Sequence, residues 1–139
     1  MRAVNPLTLL DFPHRPIYLG APMPTIRDVV RALSKRAGVD AVLVLGRDGL
    51  PIDSVCHNGI DSDGVSALVP SVVEAVNQLG QAGQRGEMSL GVMECRGGFI
   101  IVSNVAAEAL LAIFVRPDTN IGALLYELRR YQSAIAGLL

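Results

Sequence analysis

The sequence predicts an α/β domain in which one five-stranded antiparallel sheet is covered by three helices. Apolar residues recur at helical spacing in three segments, and five other segments are apolar throughout or alternate as strands do. Glycine-containing turns separate several of the predicted strands. Half of the 139 residues are hydrophobic and 18% are charged. This composition supplies one packed core and fits one domain.

Residues 1–22 differ from the rest of the chain. Prolines recur there without any sustained apolar period, at Pro6, Pro13, Pro16 and Pro22. Because proline fixes φ and lacks an N–H donor, we expect a flexible tail over residues 1–22 and a folded domain over residues 23–139. Two interpretations of the tail stay open. It is either an upstream extension of a chain that starts at Met23, or a segment that docks on the domain or on a partner.

The first helix is predicted over residues 25–37. Thr25 and Asp28 have the spacing of a capping box, which favours a helix start. One apolar stripe follows at spacings of three and four residues, formed by Ile26, Val29, Val30, Leu33 and Ala37. Gly38 is expected to end the helix.

The next segment predicts a β-hairpin. Residues 41–45 are apolar without interruption, which indicates a strand covered on both faces. Asp48-Gly49 is a typical hairpin turn between this strand and a second one over residues 50–56. Because Pro51 cannot donate to a strand ladder, the second strand is expected at an edge of the sheet.

The second helix is predicted over residues 63–81, with capping candidates at Asp61, Ser62 and Asp63. Pro70 lies well past the first turn and predicts a kink or a split helix. The expected core stripe consists of Val65, Leu68, Val69, Val72, Val76 and Leu79.

Three further strands and a third helix complete the domain. The strands are predicted over residues 87–94, 99–102 and 109–115, with a turn at Gly97-Gly98. Helix 3 is expected to start near Thr119 or Asn120 and to end near Gly137. The order is therefore α-β-β-α-β-β-β-α. The apolar strands must be central, which gives a sheet order of 2-1-5-4-3 with helices 1 and 3 on one face and helix 2 on the other.

This order and several motifs resemble the roadblock / dynein light chain family, and within it the bacterial MglB branch. The residues that carry the resemblance are the hairpin at 46–54, the alanine-rich second helix, the hairpin from Glu94 to Gly98, and Asn120-Ile121-Gly122 at the start of helix 3. The resemblance implies a homodimer whose sheets join edge to edge and whose second helices pair. It also implies that a Ras-like small GTPase docks across those paired helices.

The sequence lacks the motifs of several other functions. No Walker-type glycine-rich loop with Lys-Ser/Thr occurs, so we expect no nucleotide cofactor. No Cys-x-x-Cys or His-x-x-x-His spacing predicts a metal site, and His57 and Cys56 should point to opposite sides of a strand. A net charge of −1 argues against nucleic acid. With no catalytic residues, no signal peptide and no apolar run that could insert in a membrane, we expect a non-enzymatic, cytoplasmic protein.

The two outer surfaces of helix 2 are the candidate sites. Small residues on one flank predict a dimer interface, which continues onto the edge strand that follows: Gly64, Ser71, Ala75, Ala82, Ser89 and Gly91. The side opposite the expected core stripe predicts the partner surface: Ala67, Pro70, Glu74, Gln78 and Gln81. Arg129 and Arg130 on helix 3 are the next candidates for a partner, although surface arginines are usually only solvated.

Two main functions are consistent with this interpretation. The first is a homodimeric module that binds a Ras-like GTPase and modulates its nucleotide cycle, including an MglB-like activating role. The second is a structural dimer or adaptor without effect on GTP hydrolysis. A pocket for a small molecule is a weaker third hypothesis, because the sequence shows no converging cluster of polar residues.

Overall fold

The computed structural model describes residues 25–139, so the predicted tail over residues 1–22 lies outside the described residues. The elements are α1 (Ile26–Ser34), β1 (Val39–Gly46), β2 (Pro51–Cys56), α2 (Ser62–Ala82), β3 (Leu90–Cys95), β4 (Gly98–Ala106), β5 (Ala109–Val115) and α3 (Ile121–Ala136). This order confirms the predicted succession of helices and strands.

The strands form one antiparallel sheet in the order β2-β1-β5-β4-β3, as predicted. Val42 of β1 lies opposite Val55 of β2 on one side and opposite Ile113 of β5 on the other. The pairing of β1 with β2 shifts register between Val44 and Leu45, next to Pro51. The proline therefore lies on an edge strand, where its missing N–H costs no ladder bond.

The apolar run of β1 is buried on both faces of the sheet. Val42 and Val44 pack in a cluster with α1 and α3, whereas Leu43 and Leu45 pack in a cluster with α2. Successive side chains of a strand point to opposite faces, so a strand between two helical layers needs apolar residues at every position. Helices 1 and 3 thus cover one face and α2 covers the other, as predicted.

The ends of α1 follow from local hydrogen bonds. Thr25 and Asp28 form the predicted capping box: the Asp28 N–H donates to Thr25 Oγ1 at 3.3 Å and the Thr25 N–H donates to Asp28 Oδ2 at 2.9 Å. The helix ends at Ser34, earlier than the predicted Ala37. After it, the Val39 N–H donates to the Arg36 carbonyl at 3.1 Å, and this turn leads the chain directly into β1.

Strand β3 begins at Leu90 rather than at the predicted Glu87. The Met88 N–H donates to Asn77 Oδ1 of α2 at 2.7 Å, and the Met88 side chain is buried in the cluster under α2. The residues before β3 are therefore tied to the helix. Strand β4 extends to Ala106, past the predicted residue 102, because β5 pairs with it along this whole length.

Helix α2 is one α-helix of 21 residues that contains Pro70. The predicted split at this proline is wrong. Pro70 has no N–H to donate to the Ser66 carbonyl one turn earlier. That carbonyl lies 3.3 Å from where a Cβ on Gly49 would stand. Gly49 has a φ of +87°, and its lack of a side chain lets the tip of the β1–β2 hairpin approach the helix at this point.

Candidate functional site

The buried side of α2 is rotated relative to the predicted core stripe. Ser66, Val69 and Val73 are buried, and Val65 and Val76 pack against them from the margins of the cluster. These side chains meet Leu43, Leu45 and Leu110 of the sheet. The predicted stripe is therefore right at Val65, Val69 and Val76 but wrong at three other positions.

Those three positions are Leu68, Val72 and Leu79, which are 68%, 37% and 72% exposed. Their spacings of four and seven residues place them on one flank of the helix. They share this flank with Ala75 and Ala82, which are also exposed. A run of large apolar side chains in contact with water is unusual for a folded domain and commonly marks a surface that another protein covers.

The exposed flank coincides with the predicted dimer interface of α2. Ser71, Ala75 and Ala82 are exposed and Gly64 is half-buried, all beside the apolar side chains of Leu68, Val72 and Leu79. The structure thus adds large apolar residues to a flank that the sequence described only by its small ones. We name this surface, formed by Gly64, Leu68, Ser71, Val72, Ala75, Leu79 and Ala82, the apolar flank.

The predicted partner surface lies beside the apolar flank on the outer side of α2. Ala67, Glu74, Gln78 and Gln81 are all exposed. Gln78 Nε2 donates to Glu74 Oε1 at 3.3 Å, one turn apart on the helix surface. Pro70, which belongs to the same predicted set, is half-buried and lies at the margin of this surface. We name the four exposed residues the outer face.

The free edge of the sheet supplies the rest of the predicted dimer interface. β3 pairs with β4 alone among the described strands, so alternate backbone groups of β3 point away from the sheet. Gly91 lies within β3 and is half-buried, whereas Ser89 is exposed and precedes the strand. Val92, at the middle of the edge, is 40% exposed.

The β1–β2 hairpin presents two apolar side chains that the sequence did not single out. Leu50 and Ile52 are 66% and 51% exposed. The tip is held in place, since the Gly49 N–H donates to the Gly46 carbonyl at 2.9 Å and the Leu50 N–H donates to Asp48 Oδ1 at 3.0 Å. Gly49 lies against the backbone of Ala67, a residue of the outer face. Apolar contact residues thus adjoin a mostly polar helix surface.

A polar network joins this hairpin to α2 and β3. Arg47 donates to the Asn104 side-chain oxygen and to the Ala107 carbonyl, and Asn104 Nδ2 donates to the Met88 carbonyl at 3.2 Å. Gln132 of α3 donates to the Asn104 carbonyl. Arg47 is therefore bound to β4 and to the turn between β4 and β5. Since Met88 is itself bonded to Asn77, the network holds the candidate surfaces in a common frame.

A comparison with protein-family models matches the Roadblock/LC7 domain over residues 25–114. The chain belongs to the Roadblock/LC7 family. The match covers α1 through nearly all of β5, and the structure adds α3 in the place the family resemblance implied. Comparison with curated protein sequences finds no significant match.

Solved structures share the fold of this Roadblock/LC7 domain at low sequence identity. Myxococcus xanthus MglB is 18% identical with a TM-score of 0.74, covering 81% of this chain and 93% of its own. The gliding protein MglB from Thermus thermophilus is 18% identical with a TM-score of 0.72, covering 87% and 93%. A Roadblock/LC7 domain from Streptomyces avermitilis is 18% identical with a TM-score of 0.72, covering 82% and 97%.

The side chains of the Roadblock/LC7 domain bring together little that could do chemistry. Among residues 25–139, no three histidine, cysteine, aspartate or glutamate side chains gather as a metal site would need. His57 is exposed. Burial raises the pKa of the Cys56 thiol, with a smaller upward contribution from the charge of Asp61, while hydrogen bonds with Ser54 and Ser62 lower it. Raising a thiol pKa makes it a poorer nucleophile at neutral pH.

Charge is distributed unevenly over the domain. Helix α2 carries Asp63 and Glu74 and no lysine or arginine along its length. Of the arginines named from the sequence, Arg129 and Arg130 are exposed on α3, and Arg130 lies 5.9 Å from the centre of the Tyr126 ring. Glu127 of α3 is half-buried and forms a 2.8 Å ion pair with Arg36. No helix within residues 25–139 is long and apolar enough to cross a membrane.

Proposed function

We propose that this Roadblock/LC7 domain is a non-enzymatic homodimer in the cytoplasm that binds a Ras-like small GTPase and modulates its nucleotide cycle. The observation that carries the proposal is the division of α2 into two exposed surfaces. The apolar flank suits a lasting contact with a second copy, whereas the outer face is mostly polar and suits reversible binding. The structural likeness to MglB proteins supports the fold on which this assignment rests.

In the proposed dimer, the edge of β3 and the apolar flank of α2 each meet the same surface of the second copy. Pairing of β3 with the same strand of a second copy satisfies the outward backbone groups of the edge. The same two-fold axis brings the two α2 helices together, so that Leu68, Val72 and Leu79 leave water. Stable interfaces bury on the order of 1,200–2,000 Å² in total, and we expect the proposed dimer to bury an area of that order.

A GTPase would then bind on the outer face of the paired helices. Ala67, Glu74, Gln78 and Gln81 present small or amide-bearing side chains, and Leu50 and Ile52 of the nearby hairpin add apolar contact area. Reversible protein complexes typically combine a few hydrophobic contact residues with polar residues around them. Because no arginine or lysine lies on α2, this helix offers no arginine finger to a GTPase.

The dimer is tested first, by light scattering on the purified full chain. We expect a dimer mass at micromolar concentration, and a monomer mass for the double variant Leu68→Asp/Leu79→Asp. The matched control Gln78→Asp/Gln81→Asp places the same charges on the outer face and should leave the dimer mass unchanged. A monomer mass for the unmodified chain contradicts the proposed dimer.

The partner is tested with a Ras-like small GTPase that a pull-down with the full chain recovers. Ala67→Arg and Gln78→Glu should each weaken GTPase binding at least about tenfold, roughly 1.4 kcal/mol, while leaving the dimer and its melting temperature nearly unchanged. The rate of GTP hydrolysis is then measured with and without the domain. Binding without any change in the nucleotide cycle assigns the chain to the adaptor alternative instead. Unchanged GTPase binding by both variants means that the docking surface lies elsewhere.

A further inference from the structure

The outer surface of α1 and α3 is the most strongly cationic region of the described domain. Residues 26–36 and 121–136 contain two carboxylates, Asp28 and Glu127, and these six cations: Arg27, Arg31, Lys35, Arg36, Arg129 and Arg130. Both carboxylates are already engaged, Asp28 in the capping box and Glu127 in the ion pair with Arg36. The charges of Arg27, Arg31, Lys35 and Arg129 are therefore not neutralised by acids on the same helices.

Several of these cations are free to meet a partner. Arg27, Arg31, Lys35 and Arg129 are exposed and form no ion pair with another described residue. Arg27, Arg31 and Lys35 recur every four residues, which aligns them along one side of α1. The acidic residues of the sheet on this side, Asp53 of β2 and Glu94 of β3, lie on the two edge strands at the margins of the surface.

An aromatic side chain lies among the cations of α3. Tyr126 is 63% exposed, and Arg130 NH1 donates to its hydroxyl oxygen at 3.2 Å. Gly122, Leu125 and Arg129 line a shallow depression beside it. An exposed tyrosine next to arginines is the combination that favours the boundary between lipid headgroups and acyl chains, because the ring is apolar and its hydroxyl is polar.

We propose that the outer surface of α1 and α3 docks on anionic phospholipid membranes. The surface presents exposed arginines and a lysine on long flexible stems, which suits a broad layer of negative headgroups. On the opposite side of the domain, α2 carries two acids and no lysine or arginine. This difference in charge between the helices orients the domain, with α1 and α3 toward the membrane and α2 toward the cytoplasm.

The proposed dimer strengthens this contact, and in that respect the inference rests on the proposed function. When two β3 edges pair about an axis perpendicular to the sheet, the α1/α3 layers of both copies lie on the same side. The dimer therefore presents twice the number of cations in one surface, and two weak contacts act together. The outer face of α2 stays accessible to a GTPase on the far side.

The test is co-sedimentation of the full chain with vesicles. With roughly one-third phosphatidylserine in phosphatidylcholine, we expect binding at about 50 mM salt and release at about 0.5 M, where the screening length falls to a few ångströms. Vesicles of phosphatidylcholine alone should leave the protein in solution. Absence of binding to the anionic vesicles at low salt overturns the proposal.

A matched pair of variants locates the surface. Arg31→Glu/Arg129→Glu should weaken vesicle binding at least about 25-fold, since each cation near the lipid contributes about fivefold. Arg85→Glu/Arg96→Glu changes the net charge equally at exposed loop positions away from α1 and α3, and should weaken binding less than about threefold. Equal losses in the two variants overturn the assignment. If the protein binds poly-glutamate but does not bind the anionic vesicles, the assignment is overturned too, and an acidic protein is indicated as the partner.

Light scattering on the same samples separates this inference from the proposed dimer. A dimer that does not bind anionic vesicles rejects membrane docking and leaves the proposed function standing. A monomer that binds them, with the loss confined to Arg31→Glu/Arg129→Glu, supports docking and rejects the dimer.

Discussion

The two faces of the sheet are covered by different numbers of helices. This difference accounts for the position of the exposed apolar side chains of α2. On one face, α1 and α3 share the cover, and their apolar stripes end in a large cluster with β1, β4 and β5. On the other face α2 stands alone over a smaller cluster. At about 100° per residue, the valines and leucines of α2 span about 140° of its circumference. The sheet covers only one side of this arc, so Leu68, Val72 and Leu79 remain in water.

Positive charge and exposed aliphatic surface lie on opposite helical layers of the domain. The large aliphatic side chains of α1 and α3 are buried or half-buried, and cations lie on the outside of these helices. Helix α2 instead leaves Leu68, Val72 and Leu79 exposed and carries two acids. The α1/α3 layer presents its cations and the Tyr126 side chain to a partner. The α2 layer can bind another protein by burying apolar surface, which contributes about 25 cal/mol for each Å² removed from water.

The largest expected effect distinguishes two neighbouring valines of α2. Val73 is 2% exposed, so Val73→Asp places an unpaired charge in the core and should cost about 4 kcal/mol or more, enough to unfold the domain. Val72→Asp on the apolar flank should leave the monomer folded and abolish the dimer. Circular dichroism with light scattering checks both. A folded Val73→Asp dimer would show that this rotation of the helix is wrong.

The next effect makes the same comparison on α1. Leu33 is fully buried, and Leu33→Ala should cost about 2–5 kcal/mol of the free energy of unfolding. Arg31→Ala, on the exposed side of the helix, should change it by no more than about 0.5 kcal/mol. Urea denaturation at one fixed protein concentration measures both values. A large loss for Arg31→Ala would mean that the cationic surface also holds the fold together.

A smaller effect is expected at the N-cap residues of α1 and α2, because only one of them forms a side-chain hydrogen bond with its helix. Thr25→Ala removes the hydrogen bond from the Asp28 N–H to Thr25 Oγ1 and should destabilise the protein by about 0.5–2 kcal/mol, whereas Thr25→Ser should retain most of the stability. Asp61 makes no side-chain cap bond, so Asp61→Ala should cost only a few tenths of a kcal/mol. Thermal melting of the three variants measures these changes in stability. A larger loss of stability for Asp61→Ala than for Thr25→Ala would contradict the expected difference between the two caps.

The smallest effect concerns Cys56 on the face covered by α2. Because burial raises its pKa, thiolate absorbance in the Cys95→Ser background should develop above about pH 8.5, the region of a free thiol, and return to that region in urea. Folding thus opposes ionisation, so this group's stabilising contribution is present at neutral pH and is lost as pH rises from about 8.5 through the folded pKa. A titration that is identical with and without urea would contradict the raised pKa.

Much of the fold could be predicted because its determinants are local in the sequence. The Thr25 and Asn120 caps, the proline of β2 and the continuous apolar run of β1 each act through neighbouring residues or through a simple two-sided pattern. Together they determine the order of elements and leave few ways to arrange the strands. The family resemblance points to the same arrangement, and the family match confirms it.

The surfaces could be predicted only in part. The small residues of one flank and the polar residues of the outer side are visible in the periodicity of α2, and the structure finds most of them exposed. Leu50 and Ile52 give no such signal, because an apolar residue in an edge strand is equally consistent with a buried position. Arg47 is equally ambiguous, since its partners Asn104 and Ala107 are distant in the sequence.

What the tertiary structure alone decided is the rotation of α2 about its own axis. The sequence predicted an amphipathic helix over residues 63–81, but its valines and leucines are compatible with more than one buried side. The choice follows from contacts distant in the chain: Val69 and Val73 fit against Leu43 and Leu110, and Asn77 binds the Met88 N–H. Periodicity cannot report such contacts, because it records the spacing of apolar residues and not the shape of the surface that receives them.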